Sequence, residues 1–205
     1  MLKTAGIKTV VTSCADGYYA FKVLYPKVMG EKGTFKVLHI TEYLDQLIKA
    51  GKLKLKKRVP MTVTYHDPCH LGRLGEPFVP WQGVEKTVFN QVYIYDPPKP
   101  WRKGTNGVYQ PPRDVIQAIP GVKLSEMERI KEYAWCCGAG GGVIDAYPDF
   151  AQWTANERIE EAKTTGAEAI VTACPWCKRN FTDAIKASGD RLKVYDIVEL
   201  LEQAV

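Results

Sequence analysis

No stretch of this 205-residue chain is apolar for long enough to cross a bilayer, so any link to a membrane has to run through a partner. The opening MLKTAGIKTVV has neither the order of a signal peptide nor a convincing transit composition. Six cysteines without export point to a reducing compartment, where thiols stay free to bind metal, and the expected location is cytoplasmic. Excess charge is slight as well. The formal net charge of +5 omits ionised cysteines and is too mild to suggest nucleic acid, and the stretch KLKLKKR from Lys52 to Arg58 reads as a solvated loop. The run GAGGG after Cys137 resembles a nucleotide loop only superficially, because it lacks both the dinucleotide spacing and a Walker lysine. The closely spaced cysteines of a ferredoxin are also missing.

What is there is an ordered set of cysteines. Cys69 stands in YHDPCHLGR, the adjacent pair Cys136 and Cys137 in WCCGAGGG, and Cys174 and Cys177 in TACPWCKRNF. A free cysteine taken singly is a small buried hydrophobe, but five in this order are poorly explained by packing. Disulfide frameworks belong to small secreted domains. Tetrahedral zinc suits CxxC thiolates and is the competing metal, yet it takes four ligands and has no use for a fifth or for two consecutive cysteines. A thioredoxin-like dithiol fits Cys174-Pro-Trp-Cys177 at the start of a helix, but has no need of Cys69 or the Cys136-Cys137 pair. The pattern reads as a thiolate cage for iron and sulfur.

These residues carry a resemblance. Cys69, then Cys136-Cys137-Gly138, then Cys174-Pro175-Trp176-Cys177 resembles the cysteine-rich CCG domain found in the B and D subunits of heterodisulfide reductase, which also occurs in iron-sulfur subunits serving glycolate, lactate and glycerol-3-phosphate oxidation. The resemblance implies one 4Fe-4S cluster, of noncubane type in heterodisulfide reductase, held by those five cysteines, with Gly138 and Gly140 as close backbone contacts. It implies an iron-sulfur oxidoreductase working within a complex, by disulfide and thiol reduction or by electron transfer. Its partners would be other redox subunits: ferredoxin-like, flavoprotein or membrane cytochrome. An electron-relay subunit of a flavin-linked dehydrogenase and a zinc-bound docking module are the alternatives. The 66 residues between Cys69 and Cys136 exceed the family's usual interval and look like an insertion.

An internal repeat runs through the chain. GIKTVVTSCADGYYAFK from Gly6 aligns without a gap on GAEAIVTACPWCKRNFT from Gly166, placing Cys14 over Cys174 and Gly17 over Cys177. FKVLHITEYL from Phe35 parallels LKVYDIVELL from Leu192. The expected organisation is a duplicated α/β arrangement of two lobes with largely parallel sheets. Residues 1–58 form the second half of a degenerate first CCG repeat, and 59–205 a complete second one with a proline- and aromatic-rich insertion at about 76–111. The chain reads as the C-terminal part of a longer protein or one product of a split gene. With its CxxC reduced to Cys-Ala-Asp-Gly, the first copy is expected to hold no cluster, leaving Cys14 as a buried relic at the repeat interface or a free thiol near the active cluster.

Strands are expected at Lys8 to Thr12, Met61 to Tyr65, Val122 to Met127 and Ala169 to Thr172, three of them ending in cysteine motifs, where α/β sheets bind ligands. Gly138, Gly140, Gly141 and Gly142 would let the backbone take positive φ beside the cluster. Pro148 opens a helix to about Lys163, with Trp153, Ile159 and Ala162 inward. His66 and His70 bracket Cys69. Each is a candidate donor to a sulfide or a departing thiolate, or plainly a strand-end and a loop residue. His39 carries no functional signal. The insertion, with eight of the chain's thirteen prolines between Glu76 and Pro120, suits an ordered extended loop. It would cover the cluster, shape an entrance, form a docking face or pack on its own aromatics, and Arg102 and Lys103 would be its contacts to an anionic substrate or partner.

Overall fold

The computed structural model describes residues 5–29 and 36–205. Strand β1 (Thr9–Thr12) leads through Cys14 into helix α1 (Ala15–Tyr19), which continues through a π-helical turn, Ala20–Leu24, into α2 (Tyr25–Met29). Strand β2 (Lys36–His39) and helix α3 (Ile40–Lys49) follow. The repeat segment expected from Phe35 is described from Lys36 onward, Phe35 itself lying outside the described residues. Strand β3 (Met61–His66) opens the larger body. A hairpin, β4 (Val84–Val88) and β5 (Val92–Asp96), is followed by α4 (Gln110–Ala118) and β6 (Val122–Leu124). Two 3₁₀ turns, Lys131–Tyr133 and Gly140–Gly142, flank the cysteine pair. The chain ends with α5 (Val143–Ala146), α6 (Pro148–Lys163), β7 (Ala169–Thr172), α7 (Pro175–Ser188), β8 (Lys193–Asp196) and α8 (Ile197–Glu202).

The main sheet has the order β6-β3-β7-β8 and every pairing in it is parallel. The α/β class expected from the sequence is therefore the class observed. A parallel sheet is covered on both faces and its central strands read as continuous apolar runs; all four residues of β7, AIVT, are buried. Val63, Tyr65, Ile170 and Phe181 are fully buried in its core, each such side chain stabilising by about 1.5–3 kcal/mol. β6 stops at Leu124, short of the expected Met127, with the Ser125 amide still donating to the Val63 carbonyl at 2.8 Å.

A second, two-stranded parallel sheet joins β1 and β2, pairing Thr9 with Lys36 through Thr12 with His39. The pairing of β7 with β8, Ala169 with Lys193 through Thr172 with Asp196, has the same geometry. Each first strand ends at a cysteine that caps a helix, Cys14 and Cys174. Each second strand ends at a capping box, His39 with Glu42 and Asp196 with Glu199, in which both orphan amides at the helix start are satisfied.

Prolines at the first turn start α6 and α7, where a missing N–H costs nothing. The bounds of α6 match the sequence expectation, but Trp153 does not point inward: it is 58 % exposed. The inner face is Ala151, Ala155, Ile159 and Ala162, small residues that let α6 lie close on α7.

The insertion is more ordered than an extended loop. Its strands β4 and β5 pair antiparallel from Val84–Asp96 to Val88–Val92. Trp81 meets Tyr95 edge-on at 5.6 Å, and Lys99 lies 3.6 Å over the Tyr95 ring. At its root, buried Glu76 accepts the Asn106 amide at 2.8 Å, and Gly107 crosses Gly72 so closely that a Cβ would stand 2.3 Å from the Gly72 carbonyl oxygen. Arg102 donates to the Glu76 carbonyl, and its Nε lies 3.8 Å from the Glu76 carboxylate.

No helix among the described residues is long and apolar enough to cross a membrane. The segment after β3 is fixed by a buried ion pair. Arg113 of α4 donates to both carboxylate oxygens of Asp67 at 2.8 and 2.9 Å and to Glu126 at 2.6 Å, and Asp67 also accepts the Lys131 amide at 2.8 Å. Removing one partner of such a pair strands a buried charge. Arg113→Met should cost about 3–5 kcal/mol in denaturant unfolding, while the double change with Asp67→Leu recovers most of that loss; equal costs for single and double changes would refute the pair's role.

Candidate metal centre

Three strands deliver cysteines from their carboxyl ends. β1 leads to Cys14, β3 through His66-Asp67-Pro68 to Cys69, and β7 through Ala173 to Cys174. One turn into α7 stands Cys177. The fourth contribution is the loop with Cys136 and Cys137, held from two sides: Asn180 donates to the Cys137 carbonyl at 2.6 Å and to the Ala151 carbonyl at 2.9 Å, and Arg73 donates to the Ala134 carbonyl. Gly138 has φ +85°, and a Cβ there would sit 2.6 Å from the Ala151 carbonyl oxygen, so no other residue fits without displacing α6. Its amide donates to Cys136 Sγ at 3.3 Å. Gly141 and Gly142 also have positive φ, whereas Gly140, expected to share it, does not.

The structure brings together all five cysteines singled out in the sequence, and adds a sixth. Cys69, Cys136, Cys137, Cys177, Cys174 and Cys14 follow one another as a line of neighbouring thiols, each shifting the ionisation of the next. None of the six is in a disulfide. Of the two readings open for Cys14, the geometry matches the thiol beside the cysteine cluster: it is half-buried and touches Cys174.

Along that line negative charge is favoured on two of the six, Cys136 and Cys174. Hydrogen bonds from Cys137 and Cys69, with the Gly138 amide, hold Cys136 down at about 2. Hydrogen bonds from Cys14 and Cys177, with the amides of Cys177 and Ala15, hold Cys174 down at about 2. Their neighbours move the other way. Donation to Cys136 and burial push Cys69 up, donation to Cys136 takes Cys137 to about 12, and donation to Cys137 and Cys174 raises Cys177. Donation to Cys174 and burial raise Cys14. Soft, crowded, partly ionised sulfur of this kind selects zinc, copper(I) or iron–sulfur clusters. More than four thiols, together with backbone amides aimed at sulfur, fit a cluster better than a closed tetrahedral zinc site.

The histidines part company here. His66, the last residue of β3, is 1 % exposed, and burial pushes its pKa down to about 3. Its imidazole nitrogen and the sulfurs of Cys137 and Cys177 all lie within 4.8 Å of one another. His70 turns to the first repeat: Nδ1 pairs with the Asp16 carboxylate, and the ring stacks on Tyr19 at 4.7 Å. Asp16 and His70 border a small cavity of about 10 Å³ against Cys69, Cys137, Cys174 and Cys177. His39 is fully buried and accepts the Thr41 amide at Nδ1, a capping role that leaves it facing the Cys174 charge. Asp16, Tyr19, Arg158 and Asn180 were not singled out in the sequence. The repeat alignment, which sets Cys14 over Cys174, was the available signal for the α1 contribution.

A family model described as a cysteine-rich domain, CCG, matches residues 101–182, a span holding Cys136, Cys137, Cys174 and Cys177. The whole chain is 40 % identical over 204 residues to the D subunit of the dihydromethanophenazine:CoB–CoM heterodisulfide reductase of Methanosarcina acetivorans, covering 42 % of that protein. It is 36 % identical over 201 residues to the probable iron-sulfur-binding oxidoreductase FadF of Bacillus subtilis, with 97 % of this chain and 24 % of FadF covered. It is 34 % identical over 212 residues to the EtfAB:quinone oxidoreductase of Syntrophomonas wolfei, with 98 % and 24 % covered. The chain thus carries the cysteine-rich CCG domain and is similar along its whole length to part of each of these relatives, spanning less than half the length of any of them.

The Asp16–His70 pair raises the His70 pKa, chiefly through the hydrogen bond that the ring donates to the carboxylate. A folded-state pKa above the unfolded value near 6.5 contributes stability that is complete below about pH 6.5 and is lost as pH rises through the folded value. Both side chains are partly exposed, which limits the effect to about 1 kcal/mol or less. Amides of Ala15–Tyr19, corrected for intrinsic rates, should therefore exchange up to about fivefold faster at pH 8 than at pH 6. In His70→Gln that difference should vanish; its persistence would refute the pair as the cause.

Proposed function

We propose that Cys69, Cys136, Cys137, Cys174 and Cys177 hold one 4Fe-4S cluster, and that the chain is the iron-sulfur redox unit of a heterodisulfide reductase-like complex. The observation that carries this reading is the convergence of the five thiols: Cys69, Cys137, Cys174 and Cys177 line one small cavity, and Cys136, beside Cys137, accepts the Gly138 amide. Bound there, the cluster supplies one-electron chemistry at a potential set by thiolate ligation, hydrogen bonds to sulfur and burial.

The chain's own groups do the rest. The amides of Gly138 and Cys177 stabilise charge on Cys136 and Cys174. The Cys136-Cys137 loop, pinned by Asn180 and Arg73, keeps its sulfurs in place while the charge on them changes. Asp16 and His70, at the cavity beside Cys69, hold an ionisable proton where a thiol product would leave. Residues 1–58 act in this reading as the remnant half of a first CCG repeat, and 59–205 as the repeat that ligates. The hairpin-bearing insertion at about 76–111 interrupts that second repeat.

Reduction of a disulfide to two thiols, which takes up two electrons and two protons, is the reaction that best uses a thiolate-rich site with a proton-holding pair beside it, and it is the one for which the heterodisulfide reductase relatives are named. Electron relay, as in the relative named EtfAB:quinone oxidoreductase, shares the cluster without needing that pair. Ferredoxin-like, flavoprotein or cytochrome subunits would supply electrons, and association with a membrane would run through one of them. A zinc-bound docking module is the reading to be excluded by experiment, since His66, Cys137 and Cys177 lie close enough to share one ion.

Anaerobically purified protein should contain about four iron and four acid-labile sulfide per chain and no stoichiometric zinc. Cys136→Ala and Cys177→Ala should each lose most of that iron. One zinc and no sulfide, even after anaerobic reconstitution, would sink the reading.

A further inference from the structure

Among the buried side chains, the Nε2 atom of His66 has no hydrogen-bond partner, although the ring is almost completely removed from solvent. Its other nitrogen explains why. Nδ1 lies 3.3 Å from Nε of Arg158, a fully buried guanidinium that reaches across from α6. Arginine is a donor at every nitrogen and never an acceptor, so Nδ1 offers its lone pair to Arg158. A neutral imidazole has one N–H and one lone pair; with the lone pair committed at Nδ1, the hydrogen sits on Nε2. A ring that accepts at Nδ1 is the neutral imidazole, since both nitrogens of the cation are donors.

The direction in which that N–H points is constrained too. The Phe181 ring meets His66 edge-on at 4.9 Å, and Arg158 is held by the Glu161 carboxylate, which also accepts the Arg129 amide at 2.8 Å. A ring nitrogen of His66 and the sulfurs of Cys137 and Cys177 lie within 4.8 Å of one another, and with Nδ1 engaged by Arg158 it is Nε2 that has a hydrogen left to offer. We propose that His66 donates its Nε2–H to sulfur at the Cys137–Cys177 edge of the bound cluster, and that Arg158 is a positioning residue that fixes the tautomer and so prevents His66 from ligating metal. The inference rests on the cluster reading above. A hydrogen bond to anionic sulfur favours the more negative, reduced state, so its function is to raise the potential of the centre.

The test uses anaerobically purified protein whose iron and sulfide have been counted. At the ambient potential where wild type is half reduced, His66→Leu with full iron content should show the reduced-to-oxidised ratio fall about tenfold, which for one electron is a midpoint about 59 mV lower. Arg158→Met should move the ratio in the same direction, a readout that a purely structural role for Arg158 would leave alone. An unchanged midpoint in iron-replete His66→Leu would overturn the proposal while leaving the cluster reading intact. Wild type without iron and sulfide would overturn both.

Should His66→Leu fail to fold, a His39→Gln, His70→Gln protein labelled with ¹⁵N-histidine keeps His66 as the sole histidine of the chain's three. Electron–nuclear double resonance should then show a weak ¹⁵N coupling with an exchangeable proton. A coupling of directly bonded strength would make His66 a ligand, and no coupling at all would remove it from the cluster; either overturns the proposal.

Discussion

The parallel register of β3 against β7, Val63 beside Ala169 through His66 beside Thr172, is the constraint on which the cysteine cluster depends. It ends the two strands level, so that the segments carrying Cys69 and Cys174 leave the sheet side by side. An antiparallel pairing would send them to opposite ends. β1 delivers Cys14 to the same place with the same strand-to-helix geometry that β7 uses for Cys174. Once these ends are fixed, the glycine-rich loop with Cys136 and Cys137 has one way to close over them, because Gly138 lies against the Ala151 carbonyl.

Two buried guanidiniums brace the arrangement from opposite flanks. Arg113 locks Asp67, two residues before Cys69, and Arg158 meets His66, the residue before that aspartate. Both arginines come from helices far away in sequence and both are paired with carboxylates, so neither charge is buried alone. The short strand-to-cysteine segment His66-Asp67-Pro68-Cys69 is thereby held at successive residues. Fixed donors around a charge-changing centre need little reorganisation when an electron arrives, which is the physical use of such bracing.

Local chemistry made part of this legible in the sequence. Pro148 and Pro175 marked helix starts, the apolar run at 169–172 marked a buried strand, and the cysteine spacings marked a shared site. Where the chain departed from expectation, the deciding contacts were distant or the local signal was atypical. Trp153 looked like core by its hydrophobicity, but the α6–α7 contact takes small residues and sends the indole outward. The hairpin had no local signal because its three-residue turn, Phe89-Asn90-Gln91, takes positive φ at Phe89 and Asn90 and contains no glycine. Nothing in the sequence tied Arg158 to His66 or Asp16 to His70, pairs separated by 92 and 54 positions.

The six sulfurs are drawn from points spread between Cys14 and Cys177, so no short segment of the chain contains a preformed nest for metal. A partly folded chain has at best a CxxC turn to offer. On the cluster reading, loading iron is thus a late event in the life of the molecule, one that waits for distant strands to pair, and pairings of that span are slow to form. The metal content of a preparation then measures how many chains have completed their folding, and a cell that delivers iron too early would find nowhere specific to put it.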